Sequence, residues 1–403
     1  MRKESSVIVL GVNQIGHAIA KSLAPEGIKL IGLDFEKTQQ FYSSYIDARK
    51  CPHPLKNSQD FICYLLELSS EDGNKPLLYL AHDNFLMTIS RHRDLLGKYF
   101  LFNLPDHNML GSIVDKFKQY EIAKNAGIPL PKTFFSKDIS DVHTFSSHLD
   151  YPVFIKGLDV SEWRKNVSST TKGFEAKNKE ELISIVEGIH KHNVRVVVQE
   201  LIKGPDTNHC KFCVYISKFG EVLCSFTLRK IRQWPIRFGI GSTIESINNP
   251  VLMELGLKLF KGIDFRGVGS AEFKLDERDG KLKLIEINPR YWLQAGLPTI
   301  CGMNFPLMQY LDLTDQKPKP LFEFKSGVKW IDIRRDISSF NGYKKLNKLS
   351  TIAWLKSLKG EKMFSDFSRD DIGPALHDKG LWKTLLLLPF IVLLPPFLLR
   401  KIL

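Results

Sequence analysis

Apolar and polar positions change their period several times along this chain. Residues 7–34, VIVLGVNQIGHAIAKSLAPEGIKLIGLD, run as an apolar strand, a glycine turn, a helix with apolar positions three and four apart, and a second strand ending on Asp34. That order predicts the opening of a doubly wound α/β unit. KPLLYLAHDNF continues it as strand and loop, FLMTISRHRDLLGKYF as a helix, and the unit closes near residue 110. From Ser112 a helix is stopped by Gly127 and two prolines, and YPVFIKG then reads as a strand. NKEELISIVEGIHKH reads as a helix with Asn178 as its cap, and VRVVVQELI as a β-branched strand. CKFCVYISKFGEVLCSFTLRKI predicts a hairpin turning at Phe219 and Gly220; after a further helix, GSAEFKLDERDGKLKLIEINPR predicts a second.

The second hairpin raises a chemical question, because Glu286 sits among Leu284, Ile285 and Ile287. An unpaired carboxylate in such surroundings costs several kcal/mol. With a three-residue loop of Arg278, Asp279 and Gly280, the last in the left-handed conformation, Glu272 falls opposite Glu286 and Asn288 shares their face. Two facing acids repel unless a cation lies between them, so these three residues predict an all-oxygen Mg²⁺ site. A two-residue loop would shift the pairing by one and remove the site.

Length and composition bound the rest. A chain of 403 residues fits two or three packed units. With 43% hydrophobic and 25% charged residues, neither wholesale disorder nor a polytopic membrane protein is expected. Over half of the net charge of +13 lies between Lys325 and Lys362, where ten basic residues meet three acids. A basic stretch followed by an apolar tail suits anionic lipid headgroups better than nucleic acid, which is not expected as a partner. The tail itself has sixteen uncharged residues, Thr384 to Leu399, broken by three prolines. As one helix it would reach about 24 Å, short of the roughly 30 Å hydrocarbon core, so an interfacial or re-entrant anchor competes with a spanning one. The N-terminus reads as no signal peptide, and six scattered cysteines suggest a reduced compartment. Cys210 and Cys213 lack a second pair for zinc. The glycine turn 11–16 lacks the middle glycine of a dinucleotide fingerprint, which leaves a nicotinamide-dependent oxidoreductase as the weaker reading.

EINPR at 286–290, preceded by an acid on the adjacent strand in SAEFKLD, resembles the nucleotide site of the ATP-grasp ligases. The likeness runs from residue 112 to about 310. It is strongest to bacterial carboxylate–amine ligases of the D-aspartate ligase group, through LLYLAHDNFLMTISRHRDLLGKYF, VDKFKQYEIAKNAGIPLPKT and LRKIRQWPIRFGIGSTIES. The resemblance implies an N-terminal Rossmann-like α/β domain (1–110), then a two-part ATP-grasp core of α+β type (111–195 and 196–320). A basic region (321–380) and a hydrophobic membrane-associating tail (381–403) would follow.

It also implies roles. Lys116 and Lys156 would bind phosphate. The stretch DVSEWRKNVSSTTKG, with Lys172 or the backbone of 168–171, would cover the triphosphate, although it is poor in glycine. Glu200 would take the adenine amino group, Leu201 and Ile202 would offer backbone contacts, and Asp206 would reach the ribose. Glu272, Glu286 and Asn288 would hold Mg²⁺, with Mn²⁺ as an alternative. Arg290 would stand near the transferred phosphate, while Arg229, Arg232 and Arg237 would hold a substrate carboxylate or acyl phosphate. The expected reaction is ATP-dependent joining of a carboxylate to an amine through an acyl phosphate. A cell-wall or surface-polysaccharide precursor at the cytoplasmic face of a membrane would be the acceptor. An enzyme of this fold with a thiol or phosphate acceptor, and a non-catalytic nucleotide-binding regulator, stay open, as does a homodimer.

Overall fold

The structure, a computed structural model, describes residues 5–69, 74–171, 173–365, 368–378 and 380. The hydrophobic tail at 381–403 lies outside the described residues, and among these no helix is long and apolar enough to cross a membrane. The described strands form three sheets. The first holds β1 (Val7–Leu10), β2 (Leu30–Asp34), β3 (Asp47–Lys50) and β4 (Leu77–Leu80), all parallel in the order β3-β2-β1-β4. Its inner strands are apolar on both sides because both sides are covered. Ile8, Leu10, Ile31, Leu33 and Leu78 enter one core, and Val7, Val9 and Tyr79 another.

The glycine turn after β1 is explained by chain geometry. Gly11 has φ +113°, and a Cβ on Gly16 would lie 2.0 Å from the Gly11 carbonyl oxygen. Asp34 is buried, and its carboxylate accepts a hydrogen bond from the Val12 N–H at 2.8 Å. It therefore ties the turn together, a different task from the ribose contact of a dinucleotide fold.

The second sheet is antiparallel: β5 (Thr133–Ser136), β6 (Val153–Gly157), β7 (Phe174–Ala176) and β8 (Val196–Glu200), in the order β5-β8-β6-β7. The helix Lys179–His190 begins where Asn178 accepts from the Glu181 N–H at 2.9 Å, and it buries Leu182, Val186 and Ile189 on one face of this sheet. The expected phosphate-covering stretch contains a short helix, Val160–Asn166, capped by Asp159. It has no glycine between 158 and 171 to keep it open. Lys172 lies outside the described residues.

The third sheet has seven strands: β9 (His209–Ile216), β10 (Val222–Trp234), β11 (Ile240–Ser246), β12 (Gly267–Asp276), β13 (Lys281–Asn288), β14 (Lys329–Ile331) and β15 (Lys362–Phe364). Their order is β13-β12-β9-β10-β11-β14-β15, antiparallel except for β14 and β15. Residues 321–380 therefore do not stand apart, since two of their segments extend this sheet. One face packs Phe212, Val214, Phe273 and Leu284 beneath the helix Pro250–Gly262. Gly256 permits the close approach, because a Cβ there would lie 2.1 Å from the Phe212 ring. The other face packs Tyr215, Cys213, Phe226 and Leu228 with Tyr291, Trp292 and the first sheet. Fully burying each large side chain contributes about 1.5–3 kcal/mol. The apolar cover on this second face ends near Lys211 and Glu272, and the chemistry begins there.

Candidate active site

The second hairpin brings the two acids face to face by another route than a three-residue turn. Asp276 pairs with Lys281, so the turn has four residues, 277–280, with Gly280 at φ +67°. Uncorrected, that turn would set Glu272 against Ile285. A bulge between Glu272 and Phe273 in the pairing leaves Ile285 as the extra residue, and Glu272 pairs with Glu286 and Ser270 with Asn288.

The edge strand β13 is held by the helix Lys116–Asn125, whose side chains bond its outward carbonyls. Tyr120 OH donates to the Ile285 carbonyl and Gln119 Nε2 to the Ile287 carbonyl, each at 3.0 Å. This docking sets Lys116, the first residue of that helix, 3.2 Å from a Glu286 oxygen. Lys156 lies across Tyr120, its Nζ 6.0 Å from the ring centre.

Along the sheet the same face carries a row of charge. Glu272 pairs with Lys211 of β9, Nζ to carboxylate 2.9 Å. Lys274 pairs with His209, and Lys230 of β10 lies two residues beyond Leu228, the partner of Lys211. Lys116 is the main cause holding the Glu286 carboxyl far below the ordinary carboxylate range; the Asn288 amide, donating at 3.1 Å, adds to it. Burial pushes Glu272 upward, but the charges of Lys211 and Lys230 outweigh it and hold Glu272 below its usual range. Burial also lowers Lys230 and Lys274. It drives His209 down to about 2, helped by those two lysines, so that imidazole is neutral at physiological pH.

The donor set suits a divalent cation. Two ionised carboxylates and an amide share one face, and Ser270 Oγ, opposite Asn288, is buried with no hydrogen-bond partner among the described residues. No cluster of three His, Cys, Asp or Glu with metal-binding placement occurs among the described residues, so an ion here would need the amide oxygen and ligands from outside the protein. Lys211, Lys230 and Lys274 were not among the residues expected from sequence. They come from three strands and meet only through sheet register.

Other expected residues divide. Arg290 reaches Asp83 at the start of the helix Asp83–Arg91, with Nη2 at 2.9 Å from the carboxylate, and Nη1 bonds the Tyr291 carbonyl. It thus joins the acid strand to the first sheet. Both Asp206 carboxylate oxygens are engaged, one by Gln233 Nε2 at 2.8 Å and the other by Tyr343 OH. Ile202 offers its carbonyl to Lys274 Nζ at 2.8 Å, and the Leu201 N–H bonds the Pro152 carbonyl.

Three expectations need correction. Arg229 falls on the opposite face of β10 from Lys230, because strand side chains alternate, and it pairs with Glu245 at 2.8 Å. Arg232 is buried beyond a bulge in β10, where its Nε and Nη2 reach Asp336 at 2.8 and 3.1 Å. Neither faces the acids. The Glu200 carboxylate points to the sheet face opposite Lys156, since Glu200 pairs with Val153, and it accepts from the Asp150 N–H at 2.9 Å. The Glu200 N–H is itself bonded to the Lys132 carbonyl at 3.0 Å. Arg237 is exposed and reaches Glu175 of β7 at 2.8 Å.

No family model matches the chain. Among curated proteins it is 25% identical over 264 residues to a D-aspartate ligase of Enterococcus faecium (strain Aus0004), which covers 62% of this chain and 62% of that protein. It is 24% identical over 221 residues to a D-alanine–D-alanine ligase of Thermoanaerobacter sp. (strain X514), covering 47% of this chain and 58% of that one. The matches thus span less than two thirds of either relative. Among solved structures, the biotin carboxylase domain of Hydrogenobacter thermophilus 2-oxoglutarate carboxylase, in complex with MgADP, ADP and bicarbonate, superposes with TM-score 0.61 at 18% identity, covering 81% of this chain and 74% of that one. The chain has the ATP-grasp fold, and in sequence it resembles ATP-grasp carboxylate–amine ligases.

Proposed function

We propose that the protein is an ATP- and Mg²⁺-dependent carboxylate–amine ligase. The observation that carries this reading is the row of opposed charge across β13, β12, β9 and β10. Two acids suit a cation and Lys211, Lys230 and Lys274 suit phosphate, in a fold shared with an MgADP-bound domain. The nucleotide lies between this face and the second sheet, with Lys116 and Lys156 on its phosphates, the backbone of 200–202 along its base and Asp206 near its ribose. Glu272, Glu286 and Asn288 hold Mg²⁺, which when bound neutralises phosphate charge. The first parallel sheet is the domain that stands before the ATP-grasp core.

The chemistry needs no side-chain nucleophile. A substrate carboxylate oxygen attacks the γ-phosphorus and ADP leaves, giving an acyl phosphate. An amine then attacks the carbonyl carbon, phosphate leaves, and the amine's proton passes to solvent. Lysines neutralising the phosphates let the first attack proceed, and Arg290, steadied by Asp83, stands beside the transferred group. The likeness to a D-aspartate ligase supports an amino acid as carboxylate substrate. The basic region and apolar tail support a membrane-linked cell-wall or polysaccharide precursor as acceptor on the cytoplasmic face. The related biotin carboxylase domain is described as a dimer, which supports the same arrangement here.

The test is ADP and phosphate release from ATP with a pool of amino acids. Glu286→Gln should lower that release roughly 10²–10³-fold, taking the loss typical of one electrostatic group, with an unchanged melting temperature. Turnover retained in that variant refutes the site.

A further inference from the structure

The chain's excess positive charge has a definite place in the fold. The helices Ile333–Lys345 and Thr351–Ser357 form a hairpin whose inner side is fixed, with Phe340 stacked on Trp354 at 4.5 Å and Ile337 and Leu358 buried beside them. Its outer side is of another character. Lys344, Lys345, Lys348, Lys356 and Lys359 are all exposed, and none pairs with a carboxylate among the described residues. No acid occurs between residues 337 and 360. Two large apolar side chains stand among these lysines, Leu346 at 53% and Ile352 at 68% exposure. Ile352 and Lys356, four residues apart on the second helix, share one face, and Lys359 follows just beyond its end.

We propose that the tip of this hairpin docks on the anionic surface of a lipid bilayer, Leu346 and Ile352 entering the headgroup boundary while the five lysines meet lipid phosphates. Unopposed lysines around exposed aliphatic residues are the composition of an interfacial anchor. A single-stranded nucleic-acid surface would instead offer aromatic rings for bases to stack on, and the tip's exposed large apolar residues are aliphatic. The position in the chain agrees. Arg334, Ser338, Asn341 and Lys345 form a stripe along the first helix, about 17 Å from end to end. At its start Arg334 lies 3.5 Å from Asp378, a few residues before the uncharged sequence 384–399. Stable membrane residence generally takes two such signals. The inference stands whether or not the ligase reading does.

The test uses the full chain and flotation with vesicles of phosphatidylcholine, with and without phosphatidylglycerol. The ratio of the two partition coefficients cancels any apolar contribution that is blind to headgroup charge. The triple variant Lys344→Gln, Lys345→Gln, Lys348→Gln should lower that ratio about 100-fold. Leu346→Ser with Ile352→Ser should lower binding to both vesicles about tenfold or more. Both variants should keep the parent's melting temperature. A parent ratio near one, or a triple variant within about threefold of the parent, overturns the proposal. So does RNA binding that is lost in the triple variant, untouched by the apolar pair and unaccompanied by a phosphatidylglycerol preference.

Discussion

Two of the clusters on the seven-stranded sheet in which acids meet basic side chains are built to opposite ends. At Asp336 every acceptor position is filled. One oxygen takes Arg232 Nε at 2.8 Å and the hydroxyls of Thr243 and Ser242, and the other takes Arg232 Nη2 at 3.1 Å and Trp354 Nε1 at 2.7 Å. The pair is sealed, with side chains 5% and 2% exposed. At Glu272 and Glu286 the counter-charges are lysines, and these carboxylate side chains keep 19% and 34% exposure. An arginine fork spends its directions on one partner, whereas a lysine is a point charge that an incoming phosphate can share. Satisfied charge builds structure, and charge that can be reassigned can do chemistry.

The contrast can be broken at three places, in decreasing order of expected effect. Asp336→Ala strands a buried guanidinium and should cost about 3–5 kcal/mol of stability by chemical denaturation. A loss under about 1 kcal/mol would show that cluster to be as open as the other. Lys230→Met keeps the stem and removes the charge, so kcat/KM for ADP release should fall roughly 10²-fold while the melting temperature holds. An unaltered rate with a fall in stability would place Lys230 with Arg232 as a structural group. Arg229→Gln, on the other face, should change stability by about 0.5 kcal/mol or less and leave the rate alone. A large loss of turnover would restore Arg229 to the site.

How much was legible in sequence follows from which forces are local. Alternation and turn residues placed both hairpins, and the apolar neighbours Leu284, Ile285 and Ile287 singled out Glu286. The glycine turn and Asp34 were visible as well, but their task was not: they serve chain geometry. Lys211, Lys230 and Lys274 stayed hidden because strands distant in sequence meet through tertiary pairing, which no local period encodes. Arg229 and Arg232 were misplaced because a run of basic residues on one strand does not declare which face it serves, and a bulge in β10 resets the alternation. The Asp336 network needed a helix more than ninety residues downstream of its arginine.

The bulge at Ile285 can be seen as a frameshift suppressor. Near the turn the ribbon runs in one phase, with Leu282 opposite Leu275 and Leu284 opposite Phe273; beyond Ile285 it runs in the other, and both acids come round to the same side. The turn carries one residue more than unbroken pairing of the acids would allow, and the strand carries one more to match. Phase at the chemical end is thereby insulated from length at the loop end. With the bulge kept, a turn shortened by one residue would still leave Asp276 opposite Lys281 and Glu272 opposite Glu286.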